Sequence, residues 1–119
     1  MRNTMRSFRG RVVPCCATIG KFSVKRETYS NLRSNPVPTL LLTNVRHERT
    51  GVYIANHVWI NPANMMFHDS FPDQAVYTPG TTVTFSAVIV EYQKGLLRRK
   101  TDFEFVNIHD FSRSGADAL

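Results

Sequence analysis

The feature that most constrains this chain is a period-two alternation of apolar and polar residues. It is carried by short runs rich in β-branched and aromatic side chains, bounded by Gly, Pro and Asn. Successive side chains of a strand point to opposite faces, so such runs bury one face and hydrate the other. Five strands are predicted. The first spans Phe8 to Val13, with Phe8, Gly10 and Val12 on one face and Arg9 and Arg11 on the other. The second spans Thr39 to Arg46 and is entered through Pro36 and Pro38. A turn at Arg49, Thr50 and Gly51 joins it to the third, Val52 to Ile60, a link short enough to predict an antiparallel hairpin. Pro79 and Gly80 turn the chain into the fourth, Thr82 to Tyr92, whose length and apolar character on both faces predict a strand bent around a core. The fifth spans Phe103 to Phe111. Between the third and fourth, Ala63, Met65, Met66 and Phe67 predict a short helix or irregular plug, capped by Asn61 with Pro62 at the first helical position. Phe85, Phe103 and Phe105 are predicted core residues.

A chain of 119 residues with 42% apolar and 20% charged side chains has the length and composition of one domain with one core, about residues 7–111, followed by a frayed tail over 112–119. No apolar run reaches the roughly 18 residues a membrane helix needs, and the first ten residues are interrupted by polar side chains, so the expected setting is cytoplasmic with no membrane partner. Cys15 and Cys16 are adjacent, where a disulfide is strained, which fits a reducing compartment. None of His47, His57, His68 and His109 stands at ligand spacing from another His or a Cys, so neither a metal nor a cofactor is expected. The chain also lacks a phosphate loop, a dinucleotide fingerprint and a nucleophile elbow. His109 beside Asp110 is the nearest approach to an acid–base pair, but neighbours on a strand face opposite ways. No catalytic residue is assigned and no enzyme is expected.

Strand, strand, strand, short helix, strand, strand resembles the order of the OB fold, a five-stranded Greek-key barrel with a helix between strands three and four. Phe8-Arg9-Gly10-Arg11-Val12 and Pro79-Gly80-Thr81-Thr82-Val83-Thr84-Phe85 are similar to phrases in OB-fold proteins. Ile54-Ala55-Asn56-His57-Val58-Trp59-Ile60 resembles a phrase in small proteins of phages and mobile elements. The resemblance implies a mainly β barrel and, by family habit, the binding of oligonucleotides or oligosaccharides on the face of strands two and three. One departure is the interval between Pro14 and Pro38, long for a connection; it is either a binding loop or a strand extension in which Phe22 and Val24 alternate.

Charge sharpens this expectation. Residues 1–49 hold ten of the fifteen Lys and Arg against two acids, Glu27 and Glu48, whereas residues 50–93 hold none. The two loops that flank an OB binding face, placed at 14–38 and 93–101, contain Lys21, Lys25, Arg26, Arg33, Lys94, Arg98, Arg99 and Lys100. Such segregation is the electrostatic footprint of a polyanion binder. With Val52, Ile54, Val58 and Ile60 directed inward, Tyr53, His57 and Trp59 face outward, where rings above a basic groove stack the bases of a single strand. The expected function is therefore non-enzymatic binding of nucleic acid, single-stranded DNA first and RNA as a close alternative, in phage or mobile-element DNA metabolism. The rival is a protein-interaction or homo-oligomeric assembly module, in which Trp59 belongs to a core or an interface. A rim of Lys and Arg around the aromatic patch favours polyanion; charges of both signs favour protein.

Overall fold

The computed structural model describes residues 8–28, 34–94 and 100–114. Five antiparallel strands, β1 (Val12–Thr28), β2 (Ser34–His47), β3 (Tyr53–Ile60), β4 (Thr82–Lys94) and β5 (Lys100–Arg113), form one sheet in the order β3-β2-β1-β4-β5. The fold is thus mainly β, and no helix among the described residues is long and apolar enough to cross a membrane.

The first strand differs most from expectation. It begins at Val12 and runs to Thr28, so of the two alternatives for the interval between Pro14 and Pro38 the strand extension is the one found, over residues 14–28, and the binding loop is not. β1 pairs with β4 over residues 12–18 and with β2 over residues 15–28. Its three nearby prolines are tolerated at ladder ends: Pro14 lies one residue before the β1–β2 ladder begins, with its carbonyl accepting from the Glu48 N–H just past β2, and Pro36 and Pro38 lie where β2 meets β1 alone. The buried face of β1 is Val13, Cys15, Ala17 and Ile19, while Val12 is exposed. Phe8, Arg9 and Gly10 precede the strand; Arg9 makes an isolated bridge to Ile89 and the Gly10 N–H donates to the Ile89 carbonyl.

Bulges let this long strand and its neighbours curl. Gly20 is an extra residue between the pairs Ile19–Leu42 and Lys21–Leu41, and a Cβ there would lie 3.0 Å from the Leu41 carbonyl oxygen and 3.1 Å from Thr43 Cγ2. Asn44 on β2 and Asn107 and Asp110 on β5 sit at register shifts with φ of 52°, 50° and 55°. Asn and Asp tolerate this left-handed conformation better than other side chains. Each bulge bends its strand and adds right-handed twist, so the sheet curves over its apolar face. On that face Phe85, Phe105, Leu40, Leu42, Ile54, Ile60, Ile89 and Ile108 are fully buried, as is Phe103 nearly so. Burial of each such side chain contributes roughly 1.5–3 kcal/mol.

The connection between β3 and β4 packs onto the core and holds two single-turn 3-10 helices, Pro62–Asn64 and His68–Ser70, in place of an α-helix. Asn61 caps the first by accepting from the Ala63 N–H, and the Asn64 side chain answers by accepting from the Asn61 N–H. Asn64 also donates from Nδ2 to the Phe105 carbonyl at 2.9 Å, Met65 bridges Ile108 in parallel, and the Met66 N–H donates to the Ile108 carbonyl. The chain leaving β3 is thereby tied to β5, the strand at the far end of the sheet order. Of Met65, Met66 and Phe67, expected to plug the core here, only Met65 is buried; Met66 points away from it because the turn ends in extended backbone at Met65, and Phe67, at the start of the second 3-10 turn, is exposed as well. Phe71 and Tyr77 complete the cover, edge-on to Phe22 and Phe111 respectively. The expected tail is shorter than its predicted span: Ser112 faces Thr84 in the ladder and the Ser114 N–H donates to the Thr82 carbonyl.

Candidate functional site

The outer face of β1, β2 and β3 is built in rows fixed by strand register. Lys21, Leu41 and Trp59 form one row, Thr18, Thr43 and His57 the next, and Cys16, Arg46 and Tyr53 the last. Lys21, Arg46, Tyr53, His57 and Trp59 are all exposed. Trp59 is 46% exposed even though Lys21 Nζ stands 5.9 Å from its ring centroid, within reach of a cation–π contact worth about 0.5–1 kcal/mol at such a site. The Gly20 bulge is what puts Lys21 in this row: the extra residue after buried Ile19 returns the following side chain to the outer face beside Leu41. The described side chains of β1, β2 and β3 include Lys21, Lys25 and Arg46 and no carboxylate.

A cavity of about 620 Å³ opens beside the Trp59 row. His57 and Trp59 line it from β3, Lys25 and Ser23 from β1, Thr39 from β2, and Tyr92 with Asp102 and Glu104 from β4 and β5. Its volume falls in the range of ligand clefts, about 300–1,000 Å³. The buried floor is polar as well as apolar: Asn64 holds both partners named above, and Asp102 Oδ1 accepts from the Phe103 N–H at 2.8 Å. The two walls differ in sign, with lysine on the β1 side and carboxylates on the β5 side.

The site residues expected from sequence are thus only partly gathered. His57, Trp59 and Lys25 meet at the cavity, and Lys21 joins them through the Trp59 ring. Tyr53 does not, because six residues of strand, about 20 Å, separate it from Trp59. Its hydroxyl instead donates to Asn56 Oδ1 at 2.6 Å, and Arg46 is its cross-strand neighbour. Val52, expected inward, is exposed: β3 starts only at Tyr53, and a register shift leaves Ile54 and Ala55 both buried. Lys21, Lys25 and Arg26 are strand residues rather than loop residues, and Lys94 and Lys100 pair where β4 and β5 end and begin. The side chains of Arg26, Lys94 and Lys100, and all of Arg33, Arg98 and Arg99, lie outside the described residues. Sequence reading missed Arg46, Thr39, Tyr92, Asp102 and Glu104. Arg46 carried a signal, since it alternates outward on β2; the others belong to a cleft between strands far apart in sequence.

Other chemistry-bearing groups are already engaged. His47 Nδ1 accepts from the Arg49 and Thr50 N–H groups and shapes the β2–β3 turn. His109 Nδ1 donates to the Asn107 carbonyl at 2.8 Å, which braces a bulge. Arg9 pairs with Glu91 at 2.9 Å on the surface, where such pairs contribute little. Burial pushes the Cys15 thiol up to about 12, with Cys16 and Glu48 adding to the shift, so it is no thiolate at neutral pH. Both cysteines are free, and no metal-holding group of His, Cys, Asp and Glu occurs among the described residues. No family model, no curated protein and no solved structure matches the chain.

Proposed function

We propose that this protein is a non-enzymatic OB-type barrel that binds single-stranded nucleic acid across the outer face of β2 and β3. Three observations support the barrel: the order β3-β2-β1-β4-β5, the sharing of β1 between β2 and β4, and the parallel bridge from Met65 to Ile108 that ties the chain after β3 to β5. A five-stranded Greek-key barrel closes in this way, by joining strand three to strand five, and its binding face is that of strands two and three.

The observation that carries the binding reading is exposed Trp59 beneath the Lys21 ammonium, on strands whose described side chains hold lysine and arginine but no acid. A single strand is held by base–aromatic stacking along a positive groove, at about 1–3 kcal/mol for each stacked base. Trp59 supplies the platform and Lys21, Lys25 and Arg46 supply the phosphate contacts. DNA is the first choice of strand, and a phage or mobile-element setting follows from the sequence resemblance alone.

Substitutions separate the two terms. Lys21→Ala with Lys25→Ala should weaken binding to every sequence alike and flatten the salt slope by about 0.7 for each lost contact. Trp59→Ala should lower affinity with little change in slope, since stacking releases no counterions. Unchanged affinity in both variants for DNA and RNA would reject this reading.

The carboxylates of Asp102 and Glu104 on the β5 wall favour a second reading, a protein-interaction or homo-oligomeric module, because walls of both signs suit a polypeptide partner. That reading predicts no oligonucleotide binding and a change of oligomeric state, or loss of a partner, on Trp59→Ala.

A further inference from the structure

Glu104 stands at the cavity on the strand that contributes no cation among its described cavity-lining residues, while Trp59 and Lys25 line the same space from β3 and β1. A carboxylate is a poor neighbour for phosphate, so a strand bound here runs its backbone along β1 and β2 and turns its base edges toward β5. A base stacked on Trp59 then presents its exocyclic group to a side chain that only accepts hydrogen bonds. Cytosine offers an N4 amino group to such an acceptor, and thymine or uracil offers a carbonyl oxygen at the same position. The rings are otherwise nearly alike in size, which makes this pair the cleanest contrast.

Resting on the nucleic-acid reading above, the geometry points to Glu104 as a base-selecting residue that makes the site prefer cytosine over thymine or uracil. The cytosine amino group donates to the carboxylate, and a thymine in the same place sets two acceptor oxygens face to face. Asp102 stands at the same wall, buried and cross-strand from Tyr92. Thr39 and Ser23, on the opposite wall, carry hydroxyls that donate or accept and so do not discriminate.

The test is fluorescence anisotropy with labelled oligo-dC and oligo-dT of equal length at one salt concentration, on the unmodified chain and on Glu104→Gln. The unmodified chain should bind dC about ten-fold more tightly, the size of one charge-assisted hydrogen bond gained against one lost. Glu104→Gln should bring the ratio near one by tightening dT, because an amide can donate to the thymine carbonyl. A third oligonucleotide, with 2-pyrimidinone in place of cytosine, lacks the amino group and should lose the advantage on the unmodified chain, which keeps the test independent of how the variant folds. Equal or tighter binding of dT, or a dC preference that survives both Glu104→Gln and removal of the amino group, overturns the assignment while leaving nucleic-acid binding intact. Binding of no oligonucleotide at all rejects both.

Discussion

Replacing Gly20 with Ala tests how the sheet is built and how its outer face is laid out. The added Cβ would meet Leu41 O at 3.0 Å, Thr43 Cγ2 at 3.1 Å and Leu41 Cδ2 at 3.2 Å. The nearest of these is a backbone atom in the central ladder between β1 and β2, so relief requires the two strands to move apart rather than one side chain to turn. Overpacking of this kind costs about 1–3 kcal/mol. For a domain of this size that corresponds to a fall in Tm of roughly 4–12 °C. The loss should also separate Lys21 from Trp59, because the bulge sets the register of that row. The assay is urea and thermal unfolding followed by fluorescence of the single Trp, with the folded-state spectrum compared before unfolding. A Gly20→Ala chain of unchanged or raised Tm would refute the bulge as the point of closest strand approach.

Three further outcomes follow from named contacts. Asn64→Ala removes a buried side chain that accepts from Asn61 N–H and donates to Phe105 O, and should cost about 1–3 kcal/mol in urea unfolding; a neutral result would mean that the tie between the β3 exit and β5 carries no weight. Burial raises the Cys15 thiol from 9.0 to about 12, so the folded state holds the proton more tightly and stability, complete below pH 9, is lost as pH rises toward 12 by up to about 1.4 kcal/mol per unit; Cys15→Ala should lack this component of the Tm–pH curve. Iodoacetamide should label half-buried Cys16 in the native protein and reach Cys15 only on unfolding, as peptide mapping would detect; equal labelling would place Cys15 outside the core.

Much of the sheet was legible because its strands alternate large and polar residues. Val83, Phe85, Ala87 and Ile89 on β4 are buried in turn, and the outward set Tyr53, His57 and Trp59 on β3 is exposed. The first strand was misread for local reasons. Its inward residues Cys15 and Ala17 are small, Pro14 and the bulge at Gly20 interrupt the period, and Pro36 and Pro38 suggest a loop where β2 has already begun. The plug was overestimated since an apolar run of three says nothing of which member turns inward, and only Met65 does. Trp59 was legible as an outward residue, but the cation above it was not, since Lys21 reaches it only through a bulged register across two strand boundaries. The carboxylate wall was invisible for a stronger reason. Glu104 and Trp59 lie far apart in sequence and share a cavity only because the chain after β3 bonds to β5.

The most direct test of the binding face is titration of Trp59 fluorescence with single-stranded and duplex oligonucleotides over a series of salt concentrations. Saturable quenching by the single strand is predicted, with log K falling linearly in log salt. Contacts to Lys21, Lys25 and Arg46 alone give a slope of about −2, at roughly 0.7 for each phosphate. Duplex should bind more weakly, because paired bases cannot reach the indole. A Trp59 signal that no oligonucleotide changes at low salt would contradict the account.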